Sequence, residues 1–63
     1  MKEYNKLLYI LKENEKYTET YLIRKSSKLA VAQAIEDGML FEIGKNDIGI
    51  PQYVLTAMGA KHR

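Results

Sequence analysis

Residues 27–56 decide the fold of this chain and read SKLAVAQAIEDGMLFEIGKNDIGIPQYVLT. The pattern predicts a helix from Lys28 to about Asp37, and Gly38 is placed to end it because glycine readily takes a positive φ there. Two β-type runs follow, Met39–Ile43 and Gln52–Thr56, and the segment between them is rich in turn-forming residues. The stretch therefore predicts a short helix that leads directly into a β-hairpin.

Spacing also predicts which side chains of this stretch are buried. Val31, Ala34 and Ile35 recur at the 3.6-residue period and should line the inner face of the helix. The residues expected to point outward are Ala30, Gln33, Glu36 and Asp37. In the second strand, the alternation of side chains places Tyr53 and Leu55 on one face.

Two further helices are predicted before residue 27. The first covers about residues 2–13 and shows one apolar stripe at helical spacing. The stripe consists of Tyr4, Leu7, Leu8 and Leu11, and Ile10 widens it. The second covers about residues 19–25 and begins after Thr18, whose hydroxyl is a good N-cap. Its buried face is expected to consist of Tyr21, Leu22 and Ile23.

The predicted order of elements is α-α-α-β-β in an α+β fold, and Tyr17 can add a third, very short strand. After the hairpin, Thr56 can cap a short turn at Ala57-Met58, which Gly59 weakens. Residues 60–63 are expected to fray.

The composition bounds the chemistry of the chain. At 63 residues it is a single domain, residues 1–63, with one small core. It has no cysteine, so a disulfide or a thiolate metal site is excluded, and its one histidine, His62, lies near the end. With no internal histidine and no glycine-rich phosphate loop, we expect no enzymatic activity, no cofactor and no metal. The net charge of +2 slightly favours binding to polyanionic partners.

The sequence contains neither a signal-peptide pattern nor an apolar run long enough to span a bilayer. Together with the lack of cysteine, this favours a cytoplasmic protein.

Two motifs give the chain a likeness to a known family. Residues 34–40, AIEDGML, resemble the leucine-x-x-glycine-leucine-isoleucine exit from a recognition helix. Residues 53–59, YVLTAMG, resemble the tyrosine-x-leucine-threonine-x-x-glycine ending of a second wing strand. With three helices upstream, the chain resembles the winged helix-turn-helix regulators of bacteria and phages, and the likeness covers nearly the whole chain. It departs from multidrug-type regulators in lacking their long dimerisation arm and effector domain, so no small-molecule effector is expected.

The resemblance implies a small transcriptional or recombination regulator that binds duplex DNA, either as a homodimer or beside a protein partner. The third helix would enter the major groove. The candidate DNA-binding residues are Arg24, Lys25, Ser26, Ser27, Lys28, Gln33, Lys45 and Asn46. The first five lie around one turn whose cations suit phosphates, and Lys28 also suits guanine. Gln33 suits adenine, while Lys45 and Asn46 lie at the wing tip, where family members touch the neighbouring minor groove or backbone.

Other interpretations of the same residues stay open. The cations can form an ordinary solvated turn, and the hairpin tip can be merely polar. The small residues of the third helix, Ala30, Ala32 and Ala34, suit a winged helix that packs against a protein as an adaptor or inhibitor and binds no DNA. A purely structural homodimer can form through the first helix, with Tyr9 and Ile10 at the contact.

Overall fold

The computed structural model describes residues 4–62, which form an α+β fold of four helices and a three-stranded antiparallel sheet. In chain order the elements are α1 (Asn5–Ile10), β1 (Tyr17–Thr18), α2 (Glu19–Lys25), α3 (Lys28–Glu36), β2 (Leu40–Lys45), β3 (Pro51–Leu55) and α4 (Ala57–His62). The α+β class is confirmed, and so is the very short strand at Tyr17. The observed order differs from the predicted one by α4. The predicted start of the first helix at Lys2 lies outside the described residues.

Serine and threonine caps set the bounds of α2 and α3. The Thr18 hydroxyl accepts a hydrogen bond of 3.1 Å from the Tyr21 backbone N–H, and α2 has its predicted bounds. The Ser27 hydroxyl accepts one of 3.1 Å from the Ala30 N–H at the start of α3. Each cap satisfies a backbone donor that would otherwise have no partner in the first turn. Gly38 ends the helical segment at φ 80°, as predicted.

α1 is shorter than predicted, because the chain leaves the helix to reach the sheet. The helix ends at Ile10, and Leu11 is extended at φ −86° and ψ 147°. Farther on, Asn14 takes a positive φ of 63° and Glu13 forms an isolated bridge with Leu55. The prediction that the helix reaches residue 13 was wrong. Ile10 is exposed and does not widen the buried stripe, although all four residues of the stripe itself are buried.

β3 is the centre of the sheet, whose strand order is β1-β3-β2. Tyr17 pairs with Tyr53 on one side, and Leu40 pairs with Leu55 on the other. Tyr53 and Leu55 face the core, as the alternation predicted. The register of β2 against β3 shifts after Glu42, so the end of the hairpin is irregular.

The core joins all three predicted helices to the sheet. Its buried residues are Tyr4, Leu7, Leu8, Leu11, Leu22, Ala30, Val31, Ala34, Met39, Leu40, Tyr53 and Leu55. Ala30, expected to point outward, is only 1% exposed, because residues 30, 31 and 34 share one side of α3. Tyr21 was expected to be buried with Leu22, but it is 39% exposed.

Residues 57–62 form α4 instead of a short turn and a frayed tail, and residue 63 lies outside the described residues. The Thr56 hydroxyl accepts a hydrogen bond of 3.0 Å from the Gly59 N–H and caps the helix, as predicted for a shorter turn. Gly59 lies within the helix and does not break it. It stands at a point where the chain packs closely. A Cβ on it would be 2.5 Å from the Met39 carbonyl oxygen. The ring centroids of His62 and Tyr4 lie 5.8 Å apart, and this contact ties α4 to the start of α1.

Candidate nucleic-acid interface

The turn between α2 and α3 presents a cluster of positive charge. Residues 20–35 contain three cationic side chains, Arg24, Lys25 and Lys28, and no carboxylate. All three are exposed, at the end of α2 and the start of α3. We call these three residues the basic turn. Because no acid lies between Glu19 and Glu36 in the sequence, the segment itself carries only positive charge, which suits contact with phosphates.

Lys25 is held by an aromatic neighbour. Its Nζ lies 5.6 Å from the centroid of the Tyr21 ring, within the range of a cation–π interaction. The Tyr21 ring in turn stacks on Tyr17, with centroids 5.4 Å apart and planes 22° apart. The Tyr17 hydroxyl accepts a hydrogen bond of 2.8 Å from the Lys12 N–H. Sequence reasoning missed this arrangement, although the spacing of four residues along α2 was a signal for it.

The two serines of the turn are used to build it. The Ser26 hydroxyl donates a hydrogen bond of 2.9 Å to the Leu22 carbonyl oxygen. The Ser27 hydroxyl accepts the capping bond from Ala30 and is half-buried. Both hydroxyls therefore keep the turn short and the flanking helices in place. A direct contact of either serine with DNA remains a prediction.

The outward face of α3 differs from the predicted one, although Glu36 is exposed as predicted. Its exposed residues are Lys28, Leu29, Ala32 and Glu36, which span an arc of about 100° at 100° per residue. Gln33 is half-buried, and its Oε1 is shielded from solvent and accepts no hydrogen bond from the described residues. Its expected outward orientation was wrong. Pairing with adenine needs that oxygen as an acceptor, so this orientation of Gln33 does not offer the contact.

The hairpin tip is organised by Asn46. Its Oδ1 accepts hydrogen bonds from the N–H groups of Ile48 at 3.1 Å and Ile50 at 2.9 Å. The side-chain oxygen of Asn46 thus stabilises the tip. Lys45 is exposed beside it. Ile48 is 79% exposed at the tip, an apolar feature that the turn signals of the sequence did not reveal.

Two tyrosines of the core have raised pKa values. A hydrogen bond to Asp37 raises the pKa of Tyr4 above its ordinary value of 10.0, and burial and the negative charge of Asp37 add to this. Burial, followed by the charges of Glu42 and Glu19, raises the pKa of Tyr53. Neither phenol is thereby activated as a base or nucleophile at neutral pH, because a raised pKa keeps it protonated.

Within residues 4–62 no three acidic, histidine or cysteine side chains are grouped to hold a metal ion. No helix in that range has the length and apolar character to cross a membrane.

No protein-family model matches the chain, and no curated protein or solved structure is significantly similar to it. Function is therefore inferred from the side chains themselves.

Proposed function

We propose that this protein is a small winged helix-turn-helix that binds duplex DNA and regulates transcription or recombination, of the type that phages and mobile elements encode. In this proposal α2 and α3 form the helix-turn-helix, and α3 enters the major groove. The hairpin of β2 and β3 is the wing, with Lys45 at its tip. The protein acts in the cytoplasm without a cofactor or a small-molecule effector, and it catalyses no reaction.

The observation that carries the proposal is the basic turn. Three exposed cations lie at a sharp turn between two capped helices, with no carboxylate within residues 20–35. Lysine and arginine at such a place can contact phosphates on both sides of a groove while the following helix approaches the bases. The cations at the end of α2 also interact favourably with its dipole, so their charge does not destabilise the helix.

A homodimer is part of the proposal. α3 has nine residues, so one copy offers few contacts with base edges. Two copies on a site with two-fold symmetry double these contacts and give useful specificity. A protein partner beside one copy would serve the same end.

The test compares two triple variants with equal loss of charge. Arg24→Ala/Lys25→Ala/Lys28→Ala removes the basic turn, and Lys6→Ala/Lys12→Ala/Lys16→Ala removes three exposed lysines elsewhere. Affinity for duplex DNA is measured by fluorescence anisotropy at several salt concentrations. Each lost phosphate contact lowers the salt slope by about 0.9, so the first variant should lose about 2.7 and the control much less. Equal slopes for both variants would show that the basic turn does not contact DNA.

A second candidate function is that of a protein-binding adaptor or inhibitor. Three large apolar side chains, Phe41, Ile43 and Ile48, are exposed on the hairpin. A contiguous exposed apolar patch is typical of a surface that packs against a protein, and these three side chains lie on one hairpin. Elution from heparin at very low salt, with no retention on immobilised duplex DNA, would favour this function.

A further inference from the structure

The exposed strip of α3 has an apolar centre. Leu29 is 58% exposed, and Ala32 lies one turn farther along the same side of the helix. Lys28 stands at the start of the strip and Glu36 at its end. The exposed residues between Lys28 and Glu36, Leu29 and Ala32, are both apolar, and the oxygen of the neighbouring half-buried Gln33 is shielded.

An apolar strip on a groove-binding helix restricts what the helix can recognise. On the base edges of the major groove, the C5 methyl group of thymine is the apolar group, while adenine, guanine and cytosine present donors and acceptors. Alanine and larger aliphatic side chains contact that methyl group, and the contact excludes water from both partners.

We propose that Leu29 and Ala32 recognise thymine methyl groups, so that the preferred duplex carries thymines where α3 lies in the major groove. This inference rests on the proposed function and names the base that the site selects. Lys28, at the entry to the strip, contacts a phosphate or a guanine next to those thymines.

The charge around the strip favours DNA over an apolar protein surface as its partner. Lys28 borders the apolar residues, and Arg24 and Lys25 stand at the end of the preceding helix. The nearest carboxylate on α3 is Glu36, one turn beyond Ala32. A matching partner presents anions beside an apolar group. Duplex DNA meets this requirement, because its phosphates are anionic and the methyl group of thymine is apolar.

The experiment first selects binding sites from a random duplex library with the wild-type protein. In the selected duplex, each thymine is then replaced in turn by uracil, which pairs identically and lacks only the methyl group. Affinity should fall about fourfold for each methyl group that α3 contacts, the expected effect of one buried carbon. Thymines outside the footprint serve as internal controls, because their replacement should change nothing.

Variants then assign the effect to a residue. In Leu29→Ala, replacement of the contacted thymine by uracil should have little effect, because the partner of the methyl group is gone. Ile10→Ala is the matched control, since Ile10 is 50% exposed and lies on α1. In this variant the uracil effect should be retained in full. Leu29 is on the surface, so its truncation should leave folding intact, and circular dichroism checks this.

The outcomes separate the inference from the function on which it rests. If the wild-type protein binds no duplex DNA, both are overturned. If it binds DNA but tolerates uracil at every position, the thymine inference is overturned and DNA binding stands. The same holds if the loss upon uracil replacement is as large in Leu29→Ala as in the wild type.

Discussion

The phenol of Tyr4 donates a hydrogen bond of 2.6 Å to Oδ2 of Asp37. Tyr4 precedes α1 and Asp37 caps the end of α3, so the bond ties the first described residue to the exit of the helix proposed to enter DNA. The Tyr4 ring also contacts His62 at the end of α4. One side chain therefore holds three helices in their relative positions.

This bond predicts a loss of stability at alkaline pH. The pKa of Tyr4 is raised in the folded protein above its ordinary value of 10.0, chiefly because its hydrogen is donated to Asp37. The stabilisation is thus complete below pH 10 and is lost as the pH rises through the folded-state pKa. Tyr4→Phe should lower the melting temperature at pH 7 and make the alkaline decline shallower. Tyr53, whose pKa is also raised, should supply the decline that remains.

Thermal unfolding from pH 7 to pH 11 measures this effect. Tyr9→Phe is the control, because Tyr9 is highly exposed on α1. An alkaline decline equally steep in Tyr4→Phe and in the control would contradict the prediction.

Gly59→Ala is predicted to destabilise the protein, although alanine is a better helix former than glycine. In an open helix the change would stabilise by about 1 kcal/mol. Here the new Cβ would lie 2.5 Å from the Met39 carbonyl oxygen and 2.7 Å from Cδ1 of Leu55. We expect a net loss of about 1–3 kcal/mol in the free energy of unfolding, measured with urea. A gain in stability would mean that α4 can move away from the strand at no cost.

Asn46→Ala is predicted to loosen the hairpin tip, and Asn46→Asp is predicted to preserve it. The alanine variant loses both hydrogen bonds to Oδ1, at a cost of about 1–2 kcal/mol, whereas aspartate keeps an acceptor in place. Hydrogen exchange at the N–H groups of Ile48 and Ile50 reports the difference. Unchanged protection in Asn46→Ala would show that other contacts hold the tip.

Tyr21 is predicted to fix the position of Lys25. With Nζ 5.6 Å from the ring centroid, the ring current should shift the ε-methylene protons of Lys25 upfield in the NMR spectrum. Tyr21→Phe should keep this shift, and Tyr21→Leu should abolish it with a loss of about 0.5–1 kcal/mol. The same shift in all three proteins would mean that the lysine does not lie over the ring in solution.

Local signals in the sequence were sufficient for α2 and for the hairpin. Thr18 and Gly38 act within a few residues of their own position, so their effect can be inferred from the residue type. α4 could not be inferred in this way. The need for glycine at position 59 arises from Met39, which lies in another part of the chain. Without that contact, a glycine in a helix is seen only as a weak helix former.

The candidate site shows the same limit. The cations of the basic turn could be found from their positions in the sequence, because charged side chains are normally exposed. The faces of Ala30 and Gln33 were assigned wrongly, since alanine carries no polarity signal and a glutamine can fold its amide over the core. The exposure of Leu29 was not predicted either, because an apolar residue in a helix is expected to be buried.

The strand order has a consequence for how the protein is made. The central strand, β3, is the last of the three to be synthesised, so β1 and β2 have no partner until residues 51–55 emerge. α2 and α3 can form from local contacts before then, but the pairing of Tyr17 with Tyr53 must close more than half of the chain into a loop. The sheet is therefore a late step in folding, and the nascent hairpin strand β2 spends that interval with an unpaired backbone, open to association with other chains.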